Sequence, residues 1–427
     1  MDRLKPRILL LANACRPDMG SEPMVGWSAY QALKNEYHVR VLCAGSGKAA
    51  ILEAENVGQA RAKDFRFIPE RWRYTGRPIF DKLINWFNIV DFQRKLAHTG
   101  REEIETFKPD VIHQVTIATW RVGNPLVGGG IPFVWGPIGG GEELPHGFWK
   151  TFSPYSRIFE SLRRGSGFLA CHDPRVVRTA RKADWIFAGN RPTAALVERL
   201  RGHGKAVEIL PVVAFSEEKL REFLPRPMAN GKRQETIEIF SGGYVEARKG
   251  MGLALLALAR LKARGFVFQY EHGGIGPETV HLRAEIERLG LQDCVQLVDP
   301  YRGATYQEKL RKAEIFLFPS LRDNCPISLL EAMGHGCVPV VADHAGPGEI
   351  VTEDCGVKIP ARQPEGFVEQ LTQQLERLFL NPILRQKFRV AARDRILSEF
   401  SRPRWLGKVA GAYREILSEP ENKKSSW

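Results

Sequence analysis

The stretch from Phe318 to Ile350, FPSLRDNCPISLLEAMGHGCVPVVADHAGPGEI, places two carboxylates around the start of a predicted helix. Asp323 and Glu331 stand eight positions apart, after the apolar strand IFLFPS. Pro326 falls near the first helical turn, where its missing N–H costs nothing. Glu331, in the first turns of the helix, could accept hydrogen bonds from the two hydroxyls of a ribose, and Asp323 could do the same for another sugar.

The start of this helix is also a candidate anion site. The amides of Ile327, Ser328 and Leu329 would lack helical partners, and the helix dipole adds positive potential there. The structural alternative is that both acids merely favour the positive end of the dipole. Composition alone leaves both interpretations open.

A second candidate loop, FSGGYVEARKGMGLALLAL, links a predicted strand to a helix. Gly242 and Gly243 allow close approach of backbone amides to a ligand, and Lys249 follows Arg248 as a point charge. This combination suits a diphosphate, whereas the alternative is a plain strand–turn–helix link. The later GGIGPETV, from Gly273, has GGxG spacing instead of GxGxxG and is more typical of a turn.

These loops require parallel sheets to position them, and the hydrophobic pattern predicts two. Apolar runs such as RILLLANA, HVRVLCAG, VIHQVT and PFVWGP alternate with helical patterns, and the alternation restarts with IEIFSGG, FVFQYEHGG and VPVVAD. The pattern predicts an α/β protein with two doubly wound, Rossmann-like domains. Because ligands lie outside the carboxyl ends of such strands, we expect the site in a cleft between the two halves.

The expected boundaries follow the breaks in this pattern. We predict an N-terminal domain over 1–212, a linker over 213–234 and a C-terminal domain over 235–400. Over 401–427 we predict a C-terminal helix that crosses back to the N-terminal domain and ends in a frayed tail. The linker is polar and contains EFLPRPMANGKRQET, and the last helical segment, RPRWLGKVAGAYREIL, is amphipathic.

Composition excludes several classes. With 427 residues, 43% hydrophobic and 26% charged, the chain is globular and has no compositional case for disorder. Its apolar runs are strand-sized, and the first of them is expected to be a buried strand and not a signal peptide. Seven scattered cysteines without CxxC spacing argue against a disulfide framework or a zinc site, so a reducing cytoplasm is expected.

The net charge of +13 suits nucleic acid, an anionic membrane or a polyanionic substrate.

The segment PSLRDNCPISLLEAMGHGCVPVVADHAGPGEIV resembles the donor site of the family-4 (group 1) glycosyltransferases, retaining enzymes of the GT-B fold. Their pattern of two glutamates separated by seven residues falls on Asp323 and Glu331. SGGYVEARKG resembles the glycine-rich loop of the family, which makes Lys249 the donor-phosphate lysine, and GGIGPE resembles its Gly-x-Gly-Pro turn. The resemblance implies catalytic roles for these three residues and a wider donor-binding set: Gly242, Gly243, Arg248, Lys249, Asn324, Ile327, Ser328, Leu329 and Glu331.

Two residues depart from the family pattern. Tyr244 stands where the family usually has an arginine, so we expect Lys249 to hold the diphosphate with help from Arg248. Asp323 is one carbon shorter than the usual glutamate, which shifts its sugar contacts by about one methylene length.

The N-terminal half resembles the acceptor-binding domain of a less common branch. In NACRPDMGSEPMVGW, Gly20 takes the place of the family's loop beside the donor diphosphate and the acceptor, with Ser21 and Glu22 nearby. WGPIGGGEELP has glycines, including Gly139 and Gly140, where many members have a histidine. We expect a ligand or the other domain to approach them closely, with a flexible hinge-side loop as the alternative. His113 ends another strand on the correct side, although a lone histidine is more often a structural hydrogen bonder.

Two segments mix basic and aromatic residues: RFIPERWRYTGRPIFDKLINWF at 66–87 and FWKTFSPYSRIFESLRRGSGF at 148–168. Such a mixture suits an anionic lipid surface, and it equally suits nucleic acid. Two ordinary solvated helices with aromatic residues in the core are the third interpretation. The resemblance favours the membrane, since many relatives glycosylate lipid-linked acceptors, so no nucleic acid is expected.

The resemblance therefore implies a retaining transfer of a sugar from a UDP- or GDP-sugar to a hydroxyl of a glycan or lipid-linked acceptor, as in bacterial polysaccharide or glycolipid synthesis. No further cofactor is expected, and no metal is required because the chain has no Asp-x-Asp pair. We expect a cytoplasmic protein, peripheral at the inner face of the cell membrane. The alternatives are a GT-B nucleotide-sugar epimerase and a non-catalytic basic binder of membrane or nucleic acid.

Overall fold

A computed structural model of the chain describes residues 5–17, 19–20, 22–72, 78–202, 206–223 and 236–418, with the backbone alone at 78–83. Ser21, the second half of the predicted linker (224–234) and the predicted tail (419–427) lie outside these residues. Contacts divide the chain into two compact units. The first comprises Met1–Gly141, Arg164–Ser216 and Arg402–Trp427, and the second comprises Glu142–Arg163 and Glu217–Ser401.

The first unit is built on a parallel sheet of seven strands in the order β3-β2-β1-β4-β5-β6-β7. The order reverses between β1 and β4, as in Rossmann folds. The strands are β1 (Arg7–Leu11), β2 (His38–Ala44), β3 (Phe65–Ile68), β4 (Val111–Gln114), β5 (Phe133–Ile138), β6 (Trp185–Ala188) and β7 (Glu208–Ile209). The helices that precede β7 in the chain are α1 (Glu22–Leu33), α2 (Lys48–Asn56), α3 (Pro78–Phe107), α4 (Pro154–His172), α5 (Pro174–Lys182) and α6 (Arg191–Arg201).

The second unit repeats the design with six parallel strands in the order β10-β9-β8-β11-β12-β13. Its strands are β8 (Ile237–Gly242), β9 (Phe268–Gly273), β10 (Val295–Val298), β11 (Ile315–Phe318), β12 (Val338–Asp343) and β13 (Val357–Pro360). Its helices are α7 (Glu217–Glu222), α8 (Met251–Ala263), α9 (Thr279–Arg288), α10 (Gly303–Lys312), α11 (Ile327–Gly334), α12 (Ala345–Ile350), α13 (Pro364–Leu380) and α14 (Pro382–Glu399). The prediction of two Rossmann-like domains is confirmed.

The last helix, α15 (Arg402–Ser418), packs in the first unit. Trp405, Val409 and Tyr413 recur every four residues, and all three are buried in one core with β1 and β2. An amphipathic stripe of this period must find an apolar surface to cover. The predicted return of the C-terminal helix to the N-terminal domain is confirmed.

Residues 142–163 belong to the second unit although they lie within the predicted N-terminal range. Leu144, Phe148 and Phe152 insert into the apolar core that β8 and α13 share. A Cβ at Gly147 would lie 2.2 Å from the carbonyl oxygen of Arg362, so only glycine allows this approach. The division between the units falls within α4, at Arg163 and Arg164.

His113 is fully buried in β4. Its Nδ1 lies 2.6 Å from the hydroxyl of Tyr413 and its Nε2 lies 2.7 Å from the carbonyl oxygen of Gly136. Trp405 stacks on the ring. With both nitrogens engaged inside the protein, His113 is the structural hydrogen bonder, and its expected place beside the acceptor or diphosphate is wrong.

Burial lowers the pKa of His113 to about 4, against a smaller opposing effect of the hydrogen bond to Gly136. In the unfolded chain the pKa is about 6.5, so the unfolded state binds a proton first as the pH falls. Stability is therefore full above about pH 6.5 and is lost between there and pH 4, by about 3 kcal/mol for this group. Chemical unfolding at several pH values should show a shallower loss for His113→Gln than for the wild type. An identical slope would contradict this assignment.

Candidate functional site

The glycine-rich loop at the end of β8 is held by the neighbouring turn at the end of β9. Gly243 has a φ of +139°, and its amide donates to the carbonyl oxygen of Gly273 at 3.1 Å. A Cβ at Gly274 would lie 1.9 Å from the Gly243 carbonyl oxygen, and one at Gly276 would lie 2.2 Å from that of Val245. The amide of Gly243 is thus committed to the sheet edge and is not open to a ligand. The GGIG turn is a support for this loop.

A buried polar network lies under the same loop and was not foreseen from the sequence. Ser241 Oγ lies 2.7 Å from both Tyr270 Oη and His272 Nδ1, and His272 Nε2 lies 3.0 Å from the carbonyl oxygen of Gly243. Burial lowers the pKa of His272 to about 4, so the neutral ring donates from Nε2 to the carbonyl and accepts at Nδ1 from Ser241. Period-two alternation places Tyr270 and His272 on one face of β9, which is the signal that could have revealed them.

Lys249, Arg248 and Asp323 form one ion cluster. Asp323 Oδ2 accepts from Lys249 Nζ at 2.7 Å and from Ser320 Oγ at 2.6 Å, and its Oδ1 accepts from Arg248 Nη1 at 3.1 Å. Burial alone would raise the pKa of Asp323, but the two cations outweigh it and hold the pKa below its usual value. Asp323 therefore stays ionised and is bound to both basic residues, a pairing that sequence spacing did not predict.

The backbone joins the two loops that carry this cluster. Arg248 Nη1 donates to the carbonyl oxygen of Arg322 at 2.6 Å, and the Leu321 amide donates to the carbonyl oxygen of Arg248 at 2.8 Å. Gly250, with φ +69°, passes so close to Pro319 that a Cβ would lie 2.3 Å from its carbonyl oxygen. Glu246 also pairs with Arg248. The basic residues are thus held in place by β11's loop and do not extend freely.

The N-terminus of α11 confirms the predicted helix start, with Pro326 just before it. The amide of Leu329 donates to the Pro326 carbonyl oxygen at 3.1 Å, which removes it from the expected anion site. In the part of the chain that the structure describes, the amides of Ile327 and Ser328 have no hydrogen-bond acceptor. The anion-binding capacity of this terminus lies in those two groups.

Asp323 and Asn324 pack tightly against the start of α12. A Cβ at Gly346 would lie 1.5 Å from the carbonyl oxygen of Asn324 and 2.9 Å from that of Asp323. The amide of Gly346 donates to the Asp323 carbonyl oxygen at 3.0 Å. The position of both residues therefore depends on Gly346 in α12, which follows α11 and β12 in the chain.

Gly346→Ala is expected to push this loop aside, because both obstructing atoms belong to the backbone. We expect a loss of about 1–3 kcal/mol in stability from overpacking and a rise of about tenfold or more in the Kd of a nucleotide-sugar. Thermal unfolding and calorimetry measure the two effects. Gly252→Ala is the matched control, since a Cβ there meets nothing within 4 Å and alanine favours a helix. Equal behaviour of the two variants would contradict the argument.

Glu331 lies within α11 and is largely buried. One of its carboxylate oxygens lies 3.5 Å from Lys219 Nζ and 3.5 Å from Gln307 Nε2. Burial raises the pKa of Glu331, and Lys219 and Gln307 oppose this effect without cancelling it. Lys219, on α7, also contacts Glu222 at 2.9 Å. Neither Lys219 nor Gln307 was found from the sequence, because α7 and α10 lie far from the motif.

In the first unit, Glu22 and the glycines after β5 make internal contacts. Glu22 Oε1 accepts from the amide of Ala118 at 2.7 Å, and burial raises the pKa of Glu22. A Cβ at Gly140 would lie 2.8 Å from Arg121 Nη1, and Gly139 forms an isolated parallel bridge with Thr119. The close neighbours of these glycines are thus residues of the same unit. Gly20 is exposed, with no atom within 4 Å of a Cβ built on it.

Among the described residues, no group of three or more His, Cys, Asp or Glu side chains could hold a metal ion. Within the same ranges, no helix is both long enough and apolar enough to span a membrane.

Comparisons with known proteins bear on the second unit. Residues 235–377 match the family model described as "Glycosyl transferases group 1". This part of the second unit is therefore similar to group 1 glycosyltransferases. The matched range contains both glycine-rich loops, the Lys249–Asp323 cluster and Glu331.

The curated relatives match this chain over part of its length. The chain is 31% identical over 193 residues to WcaL of Escherichia coli, named as a colanic acid biosynthesis glycosyltransferase. It is 30% identical over 189 residues to the amylovoran biosynthesis glycosyltransferase AmsK of Erwinia amylovora. Each match covers 43% of this chain, and the chain spans less than half of those proteins, 45% and 44%.

Solved structures show the fold over nearly the whole chain. Sucrose-phosphate synthase from Thermosynechococcus elongatus superposes with a TM-score of 0.66 at 14% identity, covering 97% of this chain and all of that one. Anabaena HepE, solved in complex with UDP and glucose, gives a TM-score of 0.61 at 14% identity, covering 96% and all. The two Rossmann-like units are those of the GT-B fold.

Proposed function

We propose that the protein is a retaining glycosyltransferase that moves a sugar from a nucleotide diphosphate to an acceptor hydroxyl. The observation that carries this proposal is the Lys249–Arg248–Asp323 cluster within the matched group 1 domain. It concentrates two cations beside the loop that leads to the open amides of Ile327 and Ser328. Two positive side chains and a helix N-terminus suit a diphosphate.

In the proposed complex, Lys249 and the amides of Ile327 and Ser328 face the diphosphate, and Glu331 accepts the ribose hydroxyls. As the bond between the sugar carbon and the phosphate oxygen breaks, negative charge grows on the leaving diphosphate. Cationic and amide donors already in place offset that charge without reorganisation. The acceptor oxygen attacks from the same face, and its proton passes to the departing phosphate oxygen, so no protein base is required.

In this proposal Asp323 positions the two basic side chains. Its carboxylate orients Lys249 and Arg248 in the absence of the donor, and it is not assigned as a nucleophile because both its oxygens accept hydrogen bonds from cations. Contacts between Asp323 and the hydroxyls of the transferred sugar would require it to share or exchange these partners. Tyr244 stands where the family usually has an arginine. In this proposal Arg248 supplies the second positive charge and supports Lys249 through the Asp323 carboxylate, which both residues contact. Gly242 and Gly243 give the diphosphate a path free of side chains.

The donor and acceptor classes are drawn from the relatives. UDP and UDP-glucose complexes of HepE make a UDP-sugar the first donor to test, with a GDP-sugar as the second. WcaL and AmsK, named for colanic acid and amylovoran biosynthesis, support a glycan or lipid-linked acceptor in bacterial polysaccharide synthesis. No metal ion takes part in the proposed reaction.

A thermal-shift screen against UDP-, GDP-, ADP- and TDP-sugars tests the proposal without an acceptor. We expect one nucleotide to raise the unfolding temperature, because a ligand that binds only the folded state stabilises it by mass action. Product analysis of the donor alone then separates the classes, since an epimerase would change the sugar without any acceptor. If none of the four nucleotides shifts unfolding, the transferase assignment fails.

A further inference from the structure

Helix α4 presents large apolar side chains to solvent. In its first three turns, Tyr155, Ile158, Phe159 and Leu162 are 51%, 60%, 38% and 66% exposed. Their spacing of three and four residues places them along one side of the helix. Single exposed apolar residues are normal in soluble proteins, but a contiguous stripe of this kind marks an interaction surface. Further along the helix, Phe168 and Leu169 are also exposed.

The polar residues on the other side of α4 hold the helix to the second unit. Glu160 pairs with Arg322 at 2.8 Å, and Ser156 Oγ lies 3.3 Å from a carboxylate oxygen of Glu278. Phe152, just before the helix, is buried in the core. These contacts fix the side of α4 that packs against the second unit. The apolar stripe lies on the other side of the helix and therefore faces solvent.

The charge around the stripe is positive. Glu160 is the one carboxylate in the sequence of α4, and it is buried against Arg322. Arg157 is partly exposed along the helix, and Lys150 is exposed just before it. Arg163, also partly exposed, pairs with Glu143 at 3.5 Å. Arg157 donates to the carbonyl oxygens of Phe152 and Lys150, which orders its side chain, and it has no carboxylate partner among the described residues. The surface is thus an apolar stripe with cationic edges.

A similar mixture occurs on the first unit. Trp72, Trp86 and Phe87 are about half exposed, and the guanidinium of Arg71 lies 5.3 Å from the centre of the Trp72 ring. Both basic-aromatic segments singled out from the sequence therefore expose several aromatic residues, while Phe148 and Phe152 of the second segment are buried in the core. The interpretation of these aromatics as core residues is wrong for Trp72, Trp86, Phe87, Tyr155, Phe159 and Phe168.

We propose that the exposed stripe of α4 docks on the surface of an anionic phospholipid bilayer. The aliphatic and aromatic side chains would enter the interface, and Lys150 and Arg157 would meet the lipid phosphates. Apolar area and attraction to anionic lipids together drive binding of this kind. A nucleic acid offers no partner for the aliphatic residues Ile158 and Leu162. A second copy of the chain would bring the same cationic edges against each other, because a two-fold interface pairs identical surfaces.

The role of this membrane contact rests on the proposed function, because the contact would bring a soluble nucleotide-sugar and a lipid-linked acceptor to the same membrane. Its existence is independent of the donor site. Calorimetry with the nucleotide-sugar that the screen identifies reports on the donor site alone, so failure of either proposal is visible separately.

The test is co-sedimentation of the full chain with vesicles of phosphatidylcholine, with and without phosphatidylglycerol. We expect binding to the anionic vesicles, weak binding to the neutral ones, and a loss on raising the salt concentration. Ile158→Glu/Leu162→Glu should lower the apparent affinity for anionic vesicles by about tenfold or more, since each charge would have to enter the interface. Donor binding should be unchanged.

Ile383→Glu/Val390→Glu is the matched control, with the same two charges added on α14 at residues that are 82% and 50% exposed. It should bind vesicles nearly as the wild type does, apart from the small effect of net charge. Absence of wild-type binding, or equal losses in both variants, would overturn the proposal. A wild-type dimer in light scattering that the α4 variant alone converts to a monomer would assign the stripe to a second copy instead.

Discussion

Replacing Lys249 with alanine is expected to lower turnover by about 100-fold or more, the effect of removing one strong donor from a developing anion. Lys249 Nζ lies 2.7 Å from Asp323 Oδ2 and 5.1 Å from the centre of the Phe318 ring. These two contacts hold the charge of Lys249 in one place. Steady-state kinetics with the identified donor measure the change in kcat, and calorimetry measures donor affinity.

The pH dependence of the variant provides a second measurement. Lys249 is the largest of the influences that lower the pKa of Asp323, and burial opposes it. Its removal should raise that pKa, so that Asp323 loses its charge at a higher pH and the acid side of the rate profile moves upward. Lys262→Ala is the control, because Lys262 is a surface lysine of the same unit paired with Asp293. A Lys249→Ala enzyme with near-wild-type kcat would remove this residue from the reaction.

Glu331→Ala is expected to weaken nucleotide binding severely. Two hydrogen bonds from ribose hydroxyls to a carboxylate are together worth about 3 kcal/mol, which corresponds to a rise of roughly 100-fold in Kd. Glu331 is well suited to accept them, because it is largely buried and its other contacts in the described residues, to Lys219 and Gln307, are long at 3.5 Å. Calorimetric titration with the nucleotide alone isolates this effect from the sugar.

Glu308→Ala is the control for Glu331→Ala, because Glu308 is an exposed carboxylate paired with Lys312 on α10 of the same unit. It should leave the Kd unchanged. The nucleotide without its sugar should show the same loss in Glu331→Ala as the complete donor does. Unchanged affinity would sink the ribose assignment, and a loss seen only with the complete donor would move Glu331 to the sugar.

The ion cluster of Lys249, Arg248 and Asp323 changes the role that we assign to Asp323. In the sequence it resembles a shortened sugar ligand, whereas the structure shows it bound to Lys249, Arg248 and Ser320 at once. A shorter side chain suits this arrangement, because it keeps the carboxylate close to the loop that carries it. The absence of the usual arginine at Tyr244 and the presence of Arg248 in the cluster are consistent with one rearranged set of charges.

Much of the fold was predictable because it depends on local pattern. Each strand motif that the sequence analysis singled out overlaps an observed strand, from RILLLANA to VPVVAD, and α11 begins directly after Pro326 as expected. Hydrophobic runs of strand length alternating with amphipathic helices leave few other ways to bury their apolar faces. The family motif then placed Lys249, Asp323 and Glu331 in one domain.

The sequence by itself determined the two Rossmann-like domains, the helix start at Pro326 and the family resemblance of the donor loops. Only the tertiary structure decided how the charges pair and that His113 is buried. It also decided that the amides of Gly243 and Leu329 donate to backbone carbonyl oxygens, and that residues 142–163 join the second unit. These outcomes depend on contacts between residues far apart in the chain, such as Lys249 with Asp323 and Glu331 with Lys219. Periodicity and spacing describe neighbours along the chain, and they carry no information about which distant side chains will meet.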